Sequence, residues 1–97
     1  MHVISRKKLS EFWGSHRDVE EYLKAWFAEA EQTIWHSPED IKKHYPSADI
    51  LKDNRVVFNI KGNHYRLVVK IQYHVGIVYI RFVGTHPEYD KIDAEKI

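Results

Sequence analysis

Apolar residues in the first half of the chain recur with the period of a helix. From residue 19 to residue 34 they occupy positions i, i+3, i+4 and i+7, which is typical of an amphipathic helix. The stripe consists of Val19, Tyr22, Leu23, Trp26, Phe27, Ala30 and Ile34. Asp18 stands at the N-cap position, and Glu21 follows at capping-box spacing. The wide apolar stripe predicts a helix that lies across one face of a sheet.

Shorter elements flank this helix on both sides. Residues 2–4 favour a short strand, and Ser5 is suited to cap a helix that ends near Gly14. Ser37, followed by a proline and two acids, predicts a third helix, which a Tyr-Pro pair then ends. Residues 47–54 indicate an irregular connector.

The second half of the chain changes to the two-residue period of β-strands. Residues 55–60, 64–73 and 77–83 each alternate apolar and polar side chains, which predicts three half-buried antiparallel strands. Helices that precede such a sheet, packed on one of its faces, define an α+β fold. The length predicts a single domain over residues 1–97.

Two turns set the predicted strand register. Two-residue loops at Gly62-Asn63 and Val75-Gly76 place Arg55 opposite Lys70, and Lys70 opposite Arg81. The same register assigns the sides of the third strand: Val78, Ile80 and Phe82 face the core, and Tyr79, Arg81 and Val83 face away. The next polar row is Asn59, Arg66 and Thr85.

The three cations of this row have no acid among them on the three strands. Like charges placed opposite each other destabilise a sheet, so the row predicts an anion site. The alternative is a solvated outer face, which is what most exposed lysines and arginines form.

Charge and composition narrow the function classes. Residues 52–86 carry six basic side chains against the single acid Asp53, between two acidic ends, which favours binding of a polyanion.

The absence of cysteine excludes disulfides and thiolate metal sites. No apolar run approaches the roughly 20 residues that span a membrane, and no secretion signal is present, so a cytoplasmic protein is expected. The seven histidines show no metal-pair spacing, and neither a metal nor another cofactor is expected.

The segment after the third strand concentrates proton-transfer groups. Thr85 and Glu88 have capping-box spacing, so a short helical turn is predicted after Gly84. Cleavage of RNA by its own 2′-hydroxyl needs a base, an acid and positive charge at the phosphate. The predicted catalytic residues are therefore His86, Tyr89, Arg81 and Lys91. The alternative is a purely local cap in which His86 has no role.

Polar residues on the cationic face complete the predicted site. The residues expected to contact RNA are Arg55, Arg66, Lys70, Asn59 and His64. Arginine is the side chain best suited to bidentate phosphate contacts.

Four segments of the chain resemble the HigB toxin family. They are residues 1–5, residues 52–63, the strand at 65–68 and the Thr-His-Pro-Glu-Tyr-Asp run at 85–90. The resemblance implies a RelE-like α+β fold with N-terminal helices on one face of a curved antiparallel sheet. In that family the basic sheet positions fall on Arg66, Lys70 and Arg81, and the corner falls on His86 and Tyr89.

The resemblance also implies an activity and partners. It implies the toxin of a type II toxin–antitoxin system, an mRNA endonuclease (mRNA interferase) that acts on the 70S ribosome and blocks translation. Because no acidic cluster in the sequence is suited to bind Mg²⁺, a metal-independent route is expected. A cognate helix-turn-helix antitoxin, HigA-like, would neutralise the toxin, and operator DNA would be reached only through that antitoxin. Two alternatives use the same basic face: a non-catalytic RNA- or ribosome-binding module, and a surface that mainly holds an acidic antitoxin segment.

Overall fold

A five-stranded mixed sheet with the three N-terminal helices on one face forms the protein, which a computed structural model describes over residues 1–97. In chain order the elements are β1 (His2–Ile4), α1 (Arg6–Ser15), α2 (Glu20–Gln32), α3 (Pro38–His44), β2 (Asp49–Ile50), β3 (Arg55–Ile60), β4 (Tyr65–Gln72), β5 (Ile77–Thr85) and α4 (His86–Tyr89). The strand order is β1-β5-β4-β3-β2, with β1 parallel to β5 and the other pairs antiparallel. The predicted α+β fold is confirmed, and none of its helices has the length and apolarity to cross a membrane.

Two strands at the edges extend the predicted three-stranded sheet. The expected β1 pairs with β5, and the segment predicted as an irregular connector contains the two-residue strand β2, which pairs with Val56 and Val57. β2 brings Asp49 opposite Val57, so an acid joins the face that was predicted to carry only cations.

The main core lies between the helices and one face of the sheet. It includes Leu23, Trp26 and Ala30 of α2. Phe58 of β3 packs its ring against three aromatic side chains from the helical half of the chain. Two residues of the predicted stripe are instead exposed, Tyr22 by 50% and Ile34 by 66%. Ile34 is exposed because α2 ends at Gln32, two residues before it.

None of the predicted caps in the first half of the chain forms a side-chain cap. Ser5, with a φ of 76°, and Ser37 make no side-chain hydrogen bond to their helices. A 3-10 turn at Arg17–Val19 precedes α2, so the capping box predicted for Asp18 and Glu21 is wrong. The Asp18 carboxylate instead accepts hydrogen bonds from the Tyr65 hydroxyl at 2.7 Å and the Lys61 ammonium at 2.9 Å, which link the start of α2 to the β3–β4 hairpin.

The interactions of Asp18 with Lys61 and Tyr65 predict how the stability of the fold depends on pH. The Lys61 and Tyr65 hydrogen bonds lower the pKa of Asp18 below its ordinary value of 3.8. The ionised Asp18 carboxylate therefore contributes fully to the free energy of unfolding above pH 3.8. This contribution is lost as the pH falls through the lower pKa that Asp18 has in the folded protein. We expect Asp18→Asn to flatten the decline of stability below about pH 4, as measured by urea unfolding between pH 7 and pH 2.5. Glu21→Gln is the matched control and should keep the slope of the parent, and an unchanged slope in Asp18→Asn would contradict the prediction.

The register of the β3–β4 hairpin is confirmed. Arg55 lies opposite Lys70, Phe58 opposite Leu67, and Ile60 opposite Tyr65. The register was predictable because apolar positions in both strands alternate without interruption on either side of a glycine turn.

The predicted register of the β4–β5 hairpin is wrong. Its loop has four residues, Tyr73 to Gly76, and the main-chain N–H of Gly76 donates to Gln72 at 3.0 Å. Lys70 therefore lies opposite Tyr79, and Arg66 lies opposite Gly84 instead of Thr85. The predicted row of three cations does not form.

A β-bulge at Arg81 changes the faces of β5. The pairs Val69–Ile80 and Val68–Phe82 leave Arg81 without a partner in β4. Beyond the bulge, Phe82 turns away from the main core and Val83 packs against it, the reverse of the predicted arrangement. A bulge adds one residue to one strand, which exchanges the two faces from that point on.

The other face of the sheet carries a second, smaller core. Val57 and Val68 are fully buried there beneath Ala94, and Leu51, Phe82, Tyr89 and Ile97 pack around them. Part of the face that was predicted to be polar is thus covered by the C-terminal segment.

Candidate functional site

The corner, residues Thr85 to Lys91, starts with the predicted capping box. Glu88 N–H donates to Thr85 Oγ1 at 3.3 Å, and Thr85 N–H donates to Glu88 Oε1 at 2.8 Å. The Thr85 main-chain N–H lowers the pKa of the Glu88 carboxyl. Just before the corner, a Cβ on Gly84 would lie 2.5 Å from Phe82 Cζ, so glycine is what allows the Phe82 ring to pack there.

His86 is held by contacts on two sides. Its Nδ1 lies 3.1 Å from Asp90 Oδ2, and its main-chain N–H donates to the His64 carbonyl at 3.0 Å. The second bond ties the corner to the β3–β4 turn, so the main chain of His64 lies beside the corner. Because Asp90 engages Nδ1, Nε2 is the ring nitrogen without a partner.

Tyr89 of the corner pairs with Arg66 of β4. The Arg66 guanidinium carbon lies 5.7 Å from the centroid of the Tyr89 ring, within cation–π range. Arg66 is only 9% exposed, and its Nη2 donates to Asn63 Oδ1 at 2.6 Å. Burial, followed by the Asp49 carboxylate, raises the pKa of Tyr89. Tyr89 is therefore protonated at neutral pH and available as a hydrogen-bond donor.

Of the other cationic and polar residues predicted for the site, some have hydrogen-bond partners inside the protein and some have none. Arg55 is 8% exposed and donates from Nε to the main-chain oxygen of Ile97 at 2.8 Å, and Asn59 donates to the Ser47 carbonyl at 3.0 Å. Lys70 is half-buried, Lys91 is exposed, and neither forms an ion pair or a side-chain hydrogen bond. The free cations among these residues are therefore the two lysines: Lys91 lies in the corner, and Lys70 lies further along β4, opposite Tyr79.

Arg81 lies on a different surface from the Arg66–Tyr89 pair. The bulge directs it into a cleft between α1, β5 and α4, together with Lys8, His16 and Glu88. Sequence reasoning did not find Lys8 and His16, because they lie about 70 positions from Arg81 and no local motif marks them.

The corner and the adjacent Arg66 together supply a histidine with an unpartnered ring nitrogen, a protonated tyrosine and a nearly buried arginine. Together these groups can accept a proton, donate a proton and bind a phosphate oxygen. No cluster of three or more His, Asp or Glu side chains is placed to hold a metal ion.

The fold is a small α+β domain, and basic and titratable side chains lie where β5 meets α4. The chain belongs to the HigB toxin family, whose model, described as the RelE-like toxic component of a toxin-antitoxin system, matches residues 19–92. The predicted family membership is confirmed.

Curated relatives match over almost their whole length. The mRNA interferase toxin HigB of Escherichia coli (strain K12) is 34% identical, with 97% of this chain and 92% of that protein covered. The mRNA interferase HigB of Shigella flexneri matches with the same values. The mRNA interferase HigB of Escherichia coli O6:H1 is 23% identical, over 95% of this chain and 91% of that protein.

Proposed function

We propose that this protein is the toxin of a toxin–antitoxin pair and acts as an mRNA interferase, an endoribonuclease that cleaves messages and so blocks translation. The observation that carries this proposal is the corner: α4, at the end of β5, presents both His86 and Tyr89, and the Tyr89 ring contacts Arg66 of β4. The names of the relatives support the same activity.

The corner side chains match the steps of RNA self-cleavage. Nε2 of His86 takes the proton of the 2′-hydroxyl, whose oxygen attacks the adjacent phosphorus. Tyr89 gives its proton to the departing 5′-oxygen, leaving a 2′,3′-cyclic phosphate on the upstream fragment. Arg66 stabilises the crowded phosphate, Lys91 adds positive charge, and no step needs a metal. Lys70, four residues further along β4, binds another phosphate of the same RNA.

The partners follow from this proposal. The substrate is mRNA on the 70S ribosome, and the chain works as a single cytoplasmic domain. A helix-turn-helix antitoxin of the HigA type neutralises it and connects it to operator DNA. Arg55 and Asn59, which have internal partners, support the sheet beneath the RNA, while His64 contacts RNA from the hairpin turn.

Mapping of message 5′ ends after induction tests this proposal. An interferase produces new 5′ ends within minutes, and purified protein should cleave a message that is bound to 70S ribosomes. Cleavage of the free message in the presence of EDTA would show that the reaction needs neither the ribosome nor a metal ion. Growth arrest without new ends would reject cleavage and identify a non-catalytic RNA- or ribosome-binding module.

A further inference from the structure

A cleft between α1, β5 and α4 lies next to the corner but is not part of it. Its volume is about 480 Å³, within the range of small-ligand sites. Lys8, Glu11, Phe12 and His16 line it from the helix side. Glu88 belongs both to the cleft and to the capping box, so a ligand in the cleft adjoins the corner.

Two cations in this cleft have no acidic partner. Arg81 is exposed at the bulge, beyond Tyr79, the last residue of β5 that β1 covers, and it forms no ion pair or side-chain hydrogen bond. The Lys8 ammonium contacts only the Ile80 carbonyl, at 3.5 Å. Of the two acids, Glu88 binds the Thr85 N–H and Glu11 makes no ion pair. Both cations are therefore free to bind an anion.

His16 is held in one orientation at the wall of the cleft. Its ring stacks on Phe12 with centroids 4.0 Å apart and meets the edge of Tyr65 at 5.9 Å. Its Nδ1 lies 3.2 Å from the Phe12 carbonyl oxygen. A carbonyl oxygen can only accept, so Nδ1 carries the proton and, in the neutral ring, Nε2 is a free acceptor.

We propose that the cleft binds one ribonucleotide unit of the RNA beside the cleaved bond, with Arg81 and Lys8 on its phosphate and Nε2 of His16 accepting from its 2′-hydroxyl. This rests on the proposed function, since it takes RNA as the substrate. An acidic protein segment would satisfy the two cations but would leave the His16 acceptor unused. The 2′-hydroxyl is the group by which a protein distinguishes RNA from DNA.

Binding of an RNA oligonucleotide and of DNA of the same sequence tests the cleft, with all variants made in a His86→Ala background to prevent cleavage. Arg81→Ala should weaken RNA binding about tenfold. It should also lower the number of ions released on binding, read from the dependence of affinity on salt, by about one. Lys8→Ala should change both quantities in the same direction. His16→Phe keeps a stacked ring but removes the acceptor, so it should reduce the preference for RNA over DNA. Arg17→Ala and Lys7→Ala are matched controls outside the cleft and should bind like the background protein.

Three outcomes separate this inference from the proposed function. If Arg81→Ala and His16→Phe bind RNA and DNA like the background protein, the cleft inference is wrong. If they lose binding to a poly-glutamate peptide but keep RNA binding, the cleft serves an acidic protein and the inference is also wrong. If cleft-dependent RNA binding is present but protein with His86 intact cleaves no message, the inference holds and the interferase proposal fails.

Discussion

His86→Ala should lower the rate of message cleavage by about 10²- to 10⁴-fold, the usual effect of removing a general acid or base. Asp90 engages Nδ1 of this ring at 3.1 Å, so Nε2 is free for the proton transfer that we propose. The side chain belongs to neither hydrophobic core, so the free energy of unfolding should stay within about 0.5 kcal/mol of the parent value. Single-turnover cleavage of a message, together with urea unfolding, measures both quantities.

A second histidine–aspartate pair provides the matched control. His36 and Asp40 have the same four-residue spacing, with Nδ1 and Oδ2 3.6 Å apart, near the start of α3 and far from the corner in sequence. His36→Ala should therefore cleave at the parent rate. Parent-like cleavage by His86→Ala would remove His86 from the proposed mechanism, whatever the control shows.

Phe58→Ala should destabilise the protein by about 3–5 kcal/mol, the usual range for a buried phenylalanine. The ring is fully buried, and its centroid lies 5.3 Å from that of Trp26, 6.0 Å from Trp35 and 5.1 Å from Tyr45. Small domains are stable by only about 5–15 kcal/mol in total. The variant should therefore unfold at a much lower urea concentration, as followed by circular dichroism.

An exposed apolar residue gives the reference for this stability change. Val75 is 53% exposed in the β4–β5 loop, and Val75→Ala should change stability by no more than about 0.5 kcal/mol. A loss below about 1 kcal/mol in Phe58→Ala would show that the aromatic cluster relaxes around the vacated space and does not hold the helices to the sheet.

Regular local patterns explain which parts of the fold were predictable. The helical period identified α2, and uninterrupted alternation together with a glycine turn yielded the pairing of Arg55 with Lys70. The β4–β5 pairing was missed because Val75-Gly76 fits a four-residue loop as well as a two-residue loop. No local signal marks the bulge at Arg81, which lies just beyond the last residue of β5 that pairs with β1.

The candidate site likewise contains one part that local sequence predicts and another part that depends on the tertiary fold. The capping box was predictable because its partners, Thr85 and Glu88, are three residues apart. The stacking of Arg66 on Tyr89 depends instead on the chain returning to the sheet after β5, as does the burial of Arg55 against Ile97.

The sequence by itself determined the α+β class, the helical and strand segments, the first hairpin register and the turn that presents His86, because each depends on residues close together in the chain. Only the tertiary structure decided which polar residues share a surface. A four-residue loop and a bulge moved Arg81 out of the row with Lys70 and placed it across a cleft from His16. Packing of α1 against β5 sets that neighbourhood, and packing between segments distant in sequence leaves no local pattern.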